Sequence, residues 1–556
     1  MSKTNLTLMA IACGLFILLI FVQPSRAAIF FVTNTADSGI GSLRQAIVSA
    51  NTNPGSDKIE FNIPKTDPGF QTGVWRIKLK TLLPSLTDDG THILGGSQTL
   101  NQGNTNKYGP EVEIDGFWLT GLSWIISVKS NNNKIKEVAI TFAPGSGIKL
   151  ISGASGNIIE LNHIGHGEYL GGNAPNSTGI EIFGAASNNL ILKNLISNNK
   201  RHGVMIGGTG TNSNTIKNNI IGLNNVGYTE PNGLNGILII NGPSGNKFYE
   251  NTISGNKNHG IHISNANNNS FTNNRIGVVK VSNGWKAVGN EQSGIMIEDG
   301  ASGNWIASNM IAENHQHGIL ISDNGTNYTK VYNNNIGPNG LHGVGIYGGA
   351  RFNKIGDPLS SNKGNIIVGS GWSGVVIVGY GSDHNVIAHN GIGTDKDGNM
   401  TGKGNNFFGI HVLDGAHNDI FLNRIAFNGL TTAKAGVRIQ GANAIDNTIS
   451  KNSIYDNGWM GIQLLNGGNG GLAEPTITSA SCTEVKGSAC SGCIVEVFSD
   501  LGDEGRIYHG QTKANAVLPA FSYSGKMSGQ MITVTATDGQ GNTSEFSKPM
   551  YVGYCQ

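Results

Sequence analysis

A stacked-coil β solenoid is predicted by three features of this 556-residue chain. The phrase Gly-Ile-x-Ile, or a close variant, recurs twelve times between Gly147 and Gly461. Downstream of most copies stands a second phrase, Asn-x-x-x-x-Asn-x-Ile. Glycine, at 82 residues, is about twice its usual share, and charged residues, at 13%, are about half the usual ~25%. Fixed-period self-similarity builds coils that each bury an apolar side on the next, so a chain too long for one compact core can fold as a stack. The formal charge of +1, with no basic block, gives no footing for nucleic acid or an anionic membrane.

Residues 1–27 read as an export leader. Lys3 supplies the basic start, Leu8 to Val22 the apolar run, and Ser25-Arg26-Ala27 a cleavage site after Ala27. That 15-residue run falls short of the roughly 20 residues of a membrane span, so no span is expected after leader removal.

The next segment, 28–140, is expected to hold an N-terminal cap and irregular first coils. Ser42 and Gln45 form a capping box, and Leu43, Ala46, Ile47 and Ala50 fall on one helical face before Pro54-Gly55. A solenoid needs its open end covered, and an amphipathic helix serves. Regular coils are expected over 141–472. Each repeat glycine precedes an apolar, variable, apolar triplet, which puts the first and third residues inward and the second outward. The Asn pairs, five residues apart as in Asn189/Asn194 and Asn246/Asn251, are expected to stack in ladders and to accept the left-handed backbone of a coil corner. From 473 to 556 the pattern changes to short alternating strands separated by turns, which predicts a small β-sandwich. Four cysteines lie there: Cys482, Cys490, Cys493 and Cys555. An even count in an exported chain predicts two disulfides with three possible connectivities.

Three stretches, TNTADSGIGSLRQAI (33–47), NGIGTDKDG (390–398) and TATDGQGNTSEF (535–546), together resemble bacterial exported proteins with right-handed parallel β-helix repeats. The resemblance covers nearly all the mature chain. It implies an all-β fold: a right-handed parallel β-helix with an N-terminal helical cap, followed by a C-terminal Ig-like sandwich. The wider class includes pectate and alginate lyases, polygalacturonases, epimerases, phage tailspikes and adhesins, so the resemblance speaks for architecture rather than for one activity.

Candidate chemistry concentrates on coils five to eight. Glu298, Asp299, His262, His317 and Asp323 are the candidate catalytic residues, with His259 and His342 nearby. Asp299 and Asp323 occupy the same position on neighbouring coils, about 5 Å apart, where paired carboxylates can share a proton or flank a glycosidic bond. The competing reading is that Asp and His are good turn residues and that His-Gly-Ile belongs to the repeat. Tyr228, Trp285, Tyr347, Trp372 and Phe407 are candidate sugar-stacking residues. Their competing role is to fold over the apolar outward face and bury it, and that role is favoured. No metal centre or cofactor is expected. Ca²⁺ has only the weak loop Asp395-x-Asp397-Gly398-Asn399, which lacks a distal Glu. The expected partner is an extracellular polysaccharide or cell-surface glycan, bound or cleaved by a lyase or hydrolase mechanism. The alternative is a non-enzymatic adhesin or envelope protein.

Overall fold

The computed structural model describes residues 27–169, 171–400 and 404–555; of the expected leader, only Ala27 lies within them. Each regular coil gives one strand to each of three sheets, of 13, 15 and 15 strands, parallel except for the edge hairpin of Phe70–Gln71 with Val74–Lys78. The 13-stranded sheet carries the Gly-Ile-x-Ile phrases, from Ile126–Val128 to Ile462–Leu465. The other two carry the residues after the first and second Asn of each pair, as in Thr215–Lys217 and Ile220–Ile221.

Register follows the apolar alternation. Ile180 pairs with Val204 and Ile182 with Ile206, while on a later coil Ile261 pairs with Ile295 and Ile263 with Ile297. All eight are fully buried in one continuous core. A slip of one residue would turn that whole set outward, so the alternation pins the register.

The asparagines stack as expected. Asn189 Nδ2 donates to Asn214 Oδ1 at 2.9 Å, and Asn194 Nδ2 to Asn219 Oδ1 at 3.0 Å. Their corner role needs correction. The left-handed residue is the one before the ladder asparagine, as in Lys193 (φ 53°) and Asn218 (φ 55°). The ladder amide has to point inward to reach its neighbours, so the preceding residue takes the strained backbone and points out. A third ladder, absent from the sequence reading, runs through Asn199, Asn232, Asn256, Asn290 and Asn314, each link at 2.9 Å.

At the N-terminal end the helix Leu43–Thr52 buries Leu43, Ala46, Ile47 and Ala50 in the same core as Val32 and Ile59. Half of the capping box forms: Ser42 Oγ accepts the Gln45 N–H at 3.2 Å, while the Gln45 amide turns to Ser49.

Beyond the coils stand two antiparallel sheets. One joins Thr476–Ala480, Glu484–Ser488 and Ala520–Ser524; the other joins Ile507–Lys513, Ile494–Asp500, Gly529–Thr537 and Met550–Cys555. They share a core of Val485, Val495, Val497, Phe521 and Val534. This module presses on the last coil, and Phe498 and Phe546 enter the coil core. Backbone N–H groups that end the stack find partners there: Ile449 on Thr543 Oγ1, Lys451 on Glu496, Asn457 on Glu504 and Leu464 on Glu545. A side chain at Gly461 would run into the Phe546 ring at 2.6 Å.

Disulfides join Cys482 to Cys555 and Cys490 to Cys493. The first closes a 73-residue separation and the second only 3. Loop-closure entropy therefore predicts that a Cys482→Ser/Cys555→Ser double variant loses about 2–4 kcal/mol. Removing the Cys490–Cys493 bridge should cost only about 1.5 kcal/mol on the same basis. Denaturant titration followed by fluorescence checks the order.

Candidate functional site

The outward face of the glycine-led sheet brings most of the candidate residues onto four neighbouring strands: Ile261–Ser264, Ile295–Glu298, Ile319–Ile321 and Val344–Tyr347. His262 Nε2 lies 2.7 Å from Glu298 Oε1, and the Asn235 amide donates to His262 Nδ1 at 3.4 Å from the coil before. Because Nδ1 accepts, the ring proton sits on Nε2 and is donated to Glu298. Three successive coils thus build an Asn–His–Glu relay, half-buried at the surface.

Asp299 and Asp323 do not join it. Both are left-handed corners, with φ of 55° and 76°. Asp299 Oδ2 accepts the Ser264 hydroxyl at 2.7 Å, and Asp323 Oδ1 that of Ser322 at 3.0 Å. Among the described residues no hydrogen bond links the two carboxyls, so the geometry favours their turn role.

Four histidines, His202, His259, His317 and His342, form a buried row one residue before repeat glycines. Burial holds His202, His259 and His317 down to about 4, and His342 to about 3. They are therefore neutral at pH 7, and their ring nitrogens can accept: His259 Nδ1 takes the Ser293 N–H and His342 Nδ1 the Ser373 N–H. His317 stacks on His342 with centroids 5.4 Å apart, and Tyr347 stands edge-on to His317 at 5.7 Å. Burial lifts the Tyr347 phenol to about 12. Trp372 meets His342 edge-on at 5.6 Å and stacks with Phe407 at 5.4 Å. Tyr347, His317, His342, Trp372 and Phe407 therefore make one continuous aromatic ledge.

Tyr228 and Trp285 lie elsewhere. Lys286 sits 4.1 Å over the Tyr228 ring and Arg275, on the second-Asn sheet, 5.8 Å over Trp285. For Tyr228, Trp285 and Trp372 the favoured burial role is corrected, since they are 63%, 50% and 50% exposed. On the apolar outward column Leu238 and Val376 are buried, and the Tyr347 ring covers Gly345.

The loop Asp395–Asn399 is a plain turn, with Asp395 Oδ1 accepting the N–H groups of Asp397 and Asn399. A different cluster answers to metal chemistry: His163, His166 and Glu168 each offer a ligand atom within 4.8 Å of the others. The sequence reading missed it. The signal was the spacing His-Ile-Gly-His-Gly-Glu at the start of an inserted loop.

Two overlapping stretches, residues 112–276 and 230–392, match the model of the right-handed β-helix region and together span about half of the chain. The chain belongs to this family of right-handed parallel β-helix proteins. It is similar to the solved Dettilon tailspike protein (gp208), at 14% identity over 95% of this chain and 92% of that one, with a TM-score of 0.42. It is also similar to the AlgE4 A-module, a mannuronan C-5 epimerase of Azotobacter vinelandii, at 14% identity over 76% of this chain and 96% of that one (TM-score 0.38). PfbA, a surface adhesin of Streptococcus pneumoniae, matches at 11% identity over 90% of this chain and 93% of that one (TM-score 0.31). These are likenesses of fold. No curated protein matches the chain in sequence. Among the described residues no helix is long and apolar enough to cross a membrane.

Proposed function

We propose that this is an exported β-helix protein that holds an extracellular polysaccharide along its glycine-led face and cleaves it there. The observation that carries the reading is the aromatic ledge beside the His262–Glu298 pair. The partly exposed Tyr347, Trp372 and Phe407 rings of the ledge offer π faces to sugars, and the imidazole and carboxylate on the same face can exchange a proton with a glycosidic oxygen or a sugar C–H. Glu298 is the acid or base in this assignment, His262 its partner, and Trp372 and Phe407 the platform. The leader 1–27 and the two disulfides fit an oxidising, extracellular or cell-surface address. In the same reading 28–140 is a helix-capped entry, 141–472 the working coils, and 473–556 an Ig-like sandwich that seals the far end.

Incubating the mature protein with uronic-acid and neutral glycans tests this directly. New reducing or unsaturated ends should appear with one glycan and vanish in Glu298→Gln. Trp372→Ala should weaken binding by about tenfold, the worth of one stacking contact. Activity that persists in Glu298→Gln and disappears in Asp299→Ala/Asp323→Ala would move the chemistry to the corner carboxylates.

A non-enzymatic adhesin is the second reading. It is favoured by the hydroxyl partners that Asp299 and Asp323 already have, and by the apolar middle of the outward column. Glycan or cell binding without product from any substrate of the panel would select it.

A further inference from the structure

A second site lies on another face of the helix, where the inserted loop after Gly165 folds back over the first coils. His163 stands on the outward side of its strand, and Ile164 fills the core. Glu168, on the loop, reaches back to His163 Nδ1 in a very short contact and also accepts the Asn106 amide at 2.7 Å. His166 turns its Nδ1 to Glu230 Oε2 at 2.7 Å, and Glu230 comes from the loop two coils further on. Glu113 beneath them accepts the N–H groups of Glu168 and Tyr169 at 2.9 and 3.2 Å, which clamps the loop.

We propose that His163, His166 and Glu168 form a site for a divalent transition metal of the zinc class. Three arguments converge on it. The first is the donor set: two imidazoles and one carboxylate suit a borderline cation with an open fourth position. The ligand atoms lie within 4.8 Å of one another, and tetrahedral bonds of about 2.0–2.1 Å need separations of roughly 3.4 Å. The His163–Glu168 pair is already closer than that and has to open, while the widest gap closes by at most about 1.4 Å, changes that the loop carrying His166 and Glu168 can take up.

Second, the outer partners are in place. An imidazole whose Nδ1–H is held by Glu230 leaves its Nε2 for the metal, the usual carboxylate–histidine arrangement around bound cations. The cation would take the place of the proton now shared by His163 and Glu168, so both side chains keep their direction.

The third argument is charge. Glu113, Glu168 and Glu230 gather around the imidazoles, while Arg76 forms ion pairs with Glu113 and Asp115 only. A dication balances the two carboxylates that Arg76 does not reach. The cluster also borders a cavity of about 700 Å³ through His163, with Asn106 and Lys107 on its wall, so a water or ligand can complete the coordination.

The test uses the full mature chain, stripped with chelator and dialysed. Zn²⁺ titrated by calorimetry should bind at one equivalent and raise the thermal midpoint. Co²⁺ in its place should give intense visible bands of four-coordinate geometry. His163→Ala and Glu168→Gln should weaken Zn²⁺ by a hundredfold or so, and Glu230→Gln by roughly tenfold. His315→Ala, an exposed imidazole elsewhere, should leave binding unchanged. Glu168→Gln preserves size and the Asn106 bond, so a loss in that variant with an unchanged circular dichroism spectrum is not a folding failure. Binding as tight as the parent's in Glu168→Gln and His163→Ala, or no uptake by the parent chain beyond that of exposed histidines, overturns the site.

Discussion

Acidification from pH 7 to pH 4 should strip away most of the solenoid's stability, through its buried histidines. Burial holds His202, His259, His317 and His411 down to about 4 and His342 to about 3, against 6.5 when unfolded. Between the two values the unfolded chain binds protons that the folded chain refuses. Stability is therefore complete above about pH 6.5 and falls as the pH drops, until the folded values near 4 are reached. A gap of about 2.5 units corresponds to roughly 3 kcal/mol for one ring. Rings in contact, such as His317 and His342, share part of that cost, so the total is on the order of 10 kcal/mol.

Several groups oppose the trend: burial raises the carboxyls of Glu113, Asp115, Glu496 and Asp500, and His166 is raised against its own burial by the Glu230 carboxylate. Glu504 is shifted furthest. Glu504, buried against Asn457 and near Asp500 and Asp503, has its carboxyl pushed up to about 7. It binds its proton more readily when folded, so its contribution is present below about pH 4.5 and fades as the pH rises through 7. At most it returns about 3 kcal/mol on acidification, and the histidines prevail. Denaturant midpoints at pH 7.5, 5.5 and 4 check the sign. Substituting His317→Gln/His342→Gln should flatten the slope, and a stability that holds steady or rises toward pH 4 would refute the assignment of neutral, buried rings.

The histidine row shows where reading the sequence succeeds and where it stops. A Gly-Ile-x-Ile phrase states which side chains face in, because the alternation is local and the core has no other way to form. The helix Leu43–Thr52 was legible for the same reason: its four buried positions are one turn apart. The His that precedes the repeat glycine, at 202, 259, 317 and 342, carries no such local mark. Its burial depends on the residues that precede the glycines of neighbouring coils, such as Asn235, Ser293 and Ser373. The third asparagine ladder was hidden by loops of unequal length, although its members Asn199, Asn232, Asn256, Asn290 and Asn314 all stand four residues before a repeat glycine. The cluster of His163, His166 and Glu168 was only half legible, for a different reason. His163, His166 and Glu168 are adjacent in sequence, but their holders Glu113 and Glu230 lie 55 and 64 residues from the groups they grip. Nor did the strand pattern of 473–555 reveal that Glu496, Glu504 and Phe546 close the last coil, since that contact joins two segments with no shared period.

Removing one amide from the middle of a ladder should cost about 5 kcal/mol, more than most buried side chains of that size. Asn219 is the clearest case. Its Oδ1 accepts both the backbone N–H and the side-chain N–H of Asn194, at 2.9 and 3.0 Å. Its Nδ2 donates to Ile191 O at 2.9 Å and to Asn251 Oδ1 at 3.0 Å. Asn219→Ala takes this partner from two donors and a carbonyl in a core closed to water, each worth about 1–3 kcal/mol, while Asn251 Oδ1 keeps only the backbone N–H of residue 219. Asn219→Asp should be worse at pH 7. It keeps the acceptor for Asn194 but turns a second acceptor toward Ile191 O and Asn251 Oδ1, with a buried charge besides. Position in the stack should matter as well. Asn452, the last of that ladder, accepts from Asn423 and donates to Ile420 O, with no further ladder amide beyond it, so Asn452→Ala should cost about half as much. Each coil is held chiefly by its neighbours, so the lesion at Asn219 should speed amide exchange in the adjoining coils before the distant ones. A loss below about 1 kcal/mol at Asn219, or one equal to that at Asn452, would mean that apolar stacking alone holds the coils in register and the amides merely occupy the corners.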